Sequence, residues 1–115
     1  MKLTIITVAA LFASSQLADA QSIAGTWAET REQCILHGED NPPITVTKDS
    51  VEYYETACDL KNPTNLRDMN EGKLYDMECW SEGTMATSRA FIATNGLEGL
   101  IIYRDGFASV YARCR

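Results

Sequence analysis

From residue 23 to residue 114 the chain runs in short stretches of alternating apolar and polar positions, interrupted every few residues by turn formers. Alternation with a period of two turns one side of each stretch toward an interior and the other toward water, as in half-buried β-strands. Tyr75, Met77 and Cys79 share one side of such a stretch, with Asp76, Glu78 and Trp80 on the other. The cysteine is therefore expected inside and the acidic pair outside. Val51, Tyr53, Glu55 and Ala57 alternate with Glu52, Tyr54, Thr56 and Cys58, which leaves a tyrosine on each side. In the last stretch Ala108, Val110, Ala112 and Cys114 oppose Phe107, Ser109, Tyr111 and Arg113. Small residues on the cysteine side predict a tightly filled interior rather than a large lumen.

Turn chemistry sets the number of strands. Asp105-Gly106 separates Leu100 to Arg104 from Phe107 to Cys114 and tolerates the positive φ angles of a two-residue hairpin loop, and Asn95-Gly96 marks another reversal, between Arg89 to Thr94 and Leu97 to Tyr103. Lys48-Asp49-Ser50 divides Ile44 to Thr47 from Val51 to Ala57, and Asn70-Glu71-Gly72 divides Leu66 to Met69 from Lys73 to Trp80. With a first strand over Ile23 to Glu29, the expectation is an all-β fold, a small antiparallel barrel or barrel-like meander of about eight short strands. Thr30 to Leu36 is read as a single helical turn, and the segments His37 to Pro43 and Ala57 to Asn65 as loops.

Residues 1–20 have the layout of a signal peptide: Lys2, an apolar run from Leu3 to Phe12, and Ala18-Asp19-Ala20 before the expected cleavage point. That run is shorter than the roughly 20 residues of a membrane-spanning helix. Residues 21–115 then form one exported domain, periplasmic or secreted, with no membrane span after the leader is removed. Export changes the meaning of Cys34, Cys58, Cys79 and Cys114, which become candidates for two disulfides. Four cysteines permit three pairings that sequence does not distinguish; the pairing expected here is Cys34 with Cys58 and Cys79 with Cys114. No Cys-x-x-Cys pair accompanies the single histidine, so neither a structural zinc site nor any other metal or cofactor is expected.

The formal charge is −6, from 10 Lys plus Arg and 16 Asp plus Glu, and the leader removes one of each sign. Such a balance argues against nucleic acid as a partner and leaves room for a basic protein. His37, beside Glu39 and Asp40, is the only histidine, and a solvated loop residue is the simpler reading than a general base. No serine sits in a nucleophile elbow, and the cysteines are expected to be oxidised, so no enzymatic activity or catalytic residue is expected.

Gly25-Thr26-Trp27 at the start of the first strand, with Arg113 on the last, resembles the pattern of lipocalins and the wider calycin group. The resemblance implies an up-and-down barrel, one end of which is plugged by Trp27 packed against Arg113. In size, export and architecture the chain also resembles bacterial periplasmic inhibitors of lysozyme and of secreted proteases. The functional expectation is a non-enzymatic binding protein, an inhibitor of a basic hydrolase, with Glu39, Asp40, Trp80 and Glu82 as partner-binding residues. The alternative is a lipocalin-like binder of a small apolar ligand, with a cavity lined by Tyr53, Tyr75, Met77 and Phe91; a third reading is an envelope accessory protein.

Overall fold

Each strand hydrogen-bonds to the next in sequence, and the last returns to the first, so that the chain closes on itself as an antiparallel barrel. The computed structural model describes residues 22–35 and 42–115. The expected leader and the loop residues His37, Glu39 and Asp40 lie outside them. The strands are β1 (Gly25–Ala28), β2 (Ile44–Val46), β3 (Ser50–Tyr53), β4 (Thr56–Leu66), β5 (Met69–Ser81), β6 (Thr84–Thr94), β7 (Gly99–Arg104) and β8 (Phe107–Arg113). A five-residue helix, α1 (Arg31–Ile35), stands in the connection between β1 and β2. In this order the connections after odd-numbered strands gather at one end, called the mouth below, and those after even-numbered strands at the other.

Inward positions fill the barrel. Trp27, Val51, Met77 and Leu100 are fully buried, packed with Val46, Cys58, Ile92 and Ile102. Eight strands enclose a space about as wide as the side chains that line them, so a core of this size leaves no central channel. Tyr75, Met77 and Cys79 are inside, and Asp76, Glu78 and Trp80 outside, as alternation predicts. Tyr75 and Met77 are therefore core residues, while Phe91 takes the outer side of β6, opposite Leu74 and Tyr103. The cavity expected from Tyr53, Tyr75, Met77 and Phe91 does not form.

Two turns fall where the sequence does not announce them, and one expected loop is a strand bulge. The stretch from Val51 to Ala57 is broken at Tyr54-Glu55, where Glu55 takes φ 57°, and the break puts Cys58 opposite Val51 on the inner side. The β4–β5 reversal is at Arg67-Asp68, with Asp68 at φ 58°, and the expected turn Asn70-Glu71-Gly72 is instead part of β5. Asn62-Pro63-Thr64, expected in a loop, is a bulge inside β4: the register shifts between Lys61 and Thr64, and Asn62 takes φ 50°. A bulge tolerates Pro63 because the disrupted ladder needs no N–H from it. Across the bulge, Asn62 Nδ2 donates to Asp76 Oδ2 at 2.7 Å while Arg89 Nη1 donates to Asp76 Oδ1 at 2.8 Å. These two donors, Asn62 first, hold the Asp76 carboxyl below its ordinary pKa.

The disulfides are Cys34–Cys114 and Cys58–Cys79, which overturns the expected pairing. Cys58 and Cys79 face each other directly across β4 and β5, a register set by the turn at Arg67-Asp68. Cys34 ties α1 to the residue after β8. The last strand also reverses its expected faces: Tyr111 is buried with Ser109 and Arg113 on the same side, whereas Ala108 and Val110 are exposed. Two disulfides fit an oxidising compartment. Among the described residues no helix is long and apolar enough to cross a membrane.

Candidate functional site

One end of the barrel is built around a tryptophan and an arginine. Trp27 Nε1 donates to the Ile23 carbonyl at 3.0 Å, and the Arg113 guanidinium lies 4.3 Å from the centroid of the Trp27 ring. Arg113 also donates to the carbonyls of Ala24 (3.0 Å) and Ser22 (3.2 Å), so it holds the entering chain as well as the ring. Gly25 makes room for this: its φ is 150°, and a Cβ there would stand 2.7 Å from Arg113 Nη1. Structure thus gives a physical reason for each residue of the Gly-x-Trp and Arg set.

The mouth is different in chemistry. Three of its connections are two-residue hairpin loops, Tyr54-Glu55, Glu82-Gly83 and Asp105-Gly106, closed by the pairs Tyr53 with Thr56, Ser81 with Thr84, and Arg104 with Phe107. Positive φ at consecutive residues in the last two (50° and 80°, 52° and 85°) matches the strand twist, as primed turns do. Each tip therefore offers an exposed carboxylate, Glu55, Glu82 or Asp105, and exposed Glu29, just past β1, stands beside Tyr53 and Tyr54. Among them stand exposed Tyr54 and Phe107. Trp80, 49% exposed, is on the outer wall directly across from Met85, two residues before Glu82.

Inside this rim the face of β7 that carries Leu100 and Ile102 continues to Arg104. Its guanidinium sits 4.8 Å from the Tyr53 ring centroid and, among the described residues, donates only to sulfur, Met77 Sδ at 3.5 Å and Cys79 Sγ at 3.6 Å. A cavity of about 400 Å³ opens beside it, lined by Tyr53, Ile102, Arg104, Asp105, Phe107, Ser109 and Tyr111. Tyr53 and Tyr111 also border a second hollow of about 210 Å³ with Glu29, Gln33 and Tyr54. Burial raises the pKa of both phenols, against smaller opposing effects of the Arg104 charge at Tyr53 and of the Ser109 hydrogen bond at Tyr111, so they remain protonated through the neutral range.

Of the sequence-predicted residues, the structure brings Trp80 and Glu82 onto one mouth hairpin and Trp27 and Arg113 into contact at the other end. Glu39 and Asp40 lie outside the described residues. Glu55, Asp105, Tyr54, Phe107, Arg104 and Tyr111 were not singled out by sequence, whereas Tyr53, expected to line a cavity with Tyr75, Met77 and Phe91, lines one with Arg104 and Tyr111 instead. Alternation from Leu100 through Ile102 was the available signal for Arg104. Among the described residues no group of three or more His, Cys, Asp or Glu is placed to hold a metal ion. No family model, curated protein or solved structure matches the chain.

Proposed function

We propose that the chain is an exported, non-enzymatic binding protein whose mouth end meets a basic protein, and that it acts as an inhibitor of a hydrolase such as a lysozyme or a secreted protease. The observation that carries this reading is that three hairpins at one end of the barrel each carry an exposed carboxylate at the tip, Glu55, Glu82 and Asp105, with exposed Tyr54 and Phe107 beside two of them. Aromatic anchors within a charged rim are the usual make-up of a protein-binding surface, and acidic tips complement a cationic cleft. Rigid two-residue loops lose little freedom on docking, which favours affinity. With all four cysteines in disulfides, no thiol nucleophile competes with a binding role. The Gly25, Trp27 and Arg113 set supports a calycin-like origin for the barrel, and the two disulfides support a periplasmic or secreted location.

The test is residual activity of basic lysozymes and secreted serine proteases titrated with the oxidised domain at low and moderate salt. Stoichiometric inhibition that weakens with salt is expected. Combining Glu55→Gln, Glu82→Gln and Asp105→Asn should weaken it on the order of tenfold, chiefly through slower association. Asp49→Asn with Asp68→Asn, at the opposite end, should leave it unchanged. Absence of inhibition across the panel, or equal loss from both sets of substitutions, overturns the reading.

A further inference from the structure

Among the described residues Arg104 and Arg113 are the partly buried arginines, and their partners differ. Arg67, Arg89 and Arg115 pair with carboxylates, and Arg113 donates to two carbonyls. Arg104 is half-buried, yet among the described residues it has no oxygen acceptor, only two sulfurs and a tyrosine face. A guanidinium carries five N–H donors, and sulfur is a weak acceptor, so most of that capacity is unspent. Removing a charge from water without a counter-charge is costly. Its surroundings also hold it in place: Tyr53 stacks against it and Met77 and Cys79 sit behind it, which leaves the cavity as the direction in which an acceptor can approach.

We propose that the cavity beside Arg104 is a binding site for a small monocarboxylic acid with a short or flat apolar body. The carboxylate takes the guanidinium in the two-pronged manner that arginine favours. Ile102 and the Phe107 ring receive the apolar body, and the protonated Tyr53 and Tyr111 phenols supply neutral polar lining that adds no negative charge. Asp105 borders the same cavity, and Glu29 stands near Tyr111 on its other side. These carboxylates disfavour a phosphate or a dicarboxylate, which would bring a second negative charge against them, and a single carboxylate fits the single arginine. The site adjoins the rim surface proposed for a protein partner and shares Asp105 and Phe107 with it, but its anchor, Arg104, is not a rim residue, so Arg104→Met tests the cavity and the Glu55, Glu82 pair of tips tests the rim.

The experiment follows amide and side-chain NMR shifts of the oxidised domain, with calorimetry, during titration with benzoate, hexanoate, benzamide and phenyl phosphate. Saturable shifts centred on Tyr53, Phe107, Ser109 and Tyr111 are expected with the two acids. Benzamide should bind about tenfold or more weakly, on the scale of one charge-assisted bidentate contact. Phenyl phosphate should also bind more weakly than benzoate, and Asp105→Asn should narrow that gap. Arg104→Met should abolish the preference for acid over amide, while Arg104→Lys should retain part of it. Should Arg104→Met fail to fold, the acid and amide comparison on the unaltered domain still decides. Equal binding of benzoate and benzamide, or no saturable shift by about 10 mM acid, overturns the site. N-acetyl-Gly-Phe, with a free or an amidated C-terminus, identifies the source of the carboxylate: binding of the free-carboxylate peptide without binding of benzoate or hexanoate rejects a small acid in favour of a chain terminus.

Discussion

A single methyl group at Gly25 would collide with the guanidinium that covers Trp27. Gly25→Ala combines that clash with a φ unfavourable to any Cβ, and is expected to cost about 1–3 kcal/mol. A shift of the urea midpoint together with altered Trp27 fluorescence would register it; a variant with the parent midpoint would show that Arg113 moves aside freely. Asp76 offers a second test at this scale. Its pKa is lower in the folded state than in the unfolded chain, so its stabilising effect is complete above the ordinary Asp value of about 3.9 and disappears as pH falls through the folded value. Asp76→Asn should therefore melt below the parent at neutral pH, with the two melting temperatures converging in acid. A gap that stayed constant down to about pH 2 would place the effect in packing rather than charge.

Among the elements, the two disulfides close loops of very different length, 80 residues for Cys34–Cys114 and 21 for Cys58–Cys79. Chain entropy alone assigns them about 4.5 and about 3.3 kcal/mol respectively. Paired Cys→Ala variants measured by denaturant midpoint should follow that order, and the reverse order would show that the core contacts of Cys58 and Cys79 outweigh loop closure. The hairpins also explain what sequence could and could not reveal. Asp105-Gly106 and Asn95-Gly96 are legible because glycine marks positive φ. Tyr54-Glu55 and Arg67-Asp68 are not, because Glu55 and Asp68 adopt that conformation without glycine to announce it. Pro63 reads as a loop residue since a bulge depends on what the neighbouring strand does. Cysteine pairing follows the register of β4 against β5, a long-range property that local turn signals place only within a few residues.

For the whole molecule, an antiparallel barrel or barrel-like meander of about eight strands was legible from strand count and alternation, but its closure was left open and the direction of the last strand's faces was not legible. Placing Cys114 inside misassigned Ala108 and Val110; Cys114 lies past the end of β8 and turns to α1, which frees Arg113 to face Trp27. The acidic tips were visible only in part, since Glu82 stood beside an obvious aromatic whereas Glu55 and Asp105 acquire their meaning when the topology brings three hairpins to one end. Arg104 followed the alternation of β7, yet a charge on an inward face runs against the expectation that interiors are apolar.

Closure has a cost in time as well. The seam between β1 and β8 rests on two residue pairs, Trp27 with Arg113 and Ala28 with Ala112, which lie more than 80 positions apart along the chain. The long β5–β6 hairpin, by contrast, pairs near neighbours and carries Trp80. Local pairing precedes distant pairing when loop entropy controls the order of events, so the seam should zip last. The two tryptophans then act as separate clocks for refolding in a Cys34→Ala, Cys114→Ala background, where no cross-link holds the ends of the seam together. A Trp27→Phe variant, lit only by Trp80, should report an early phase in stopped-flow fluorescence, and a Trp80→Phe variant, lit only by Trp27, a later one; identical rates would mean that the barrel forms in a single concerted step.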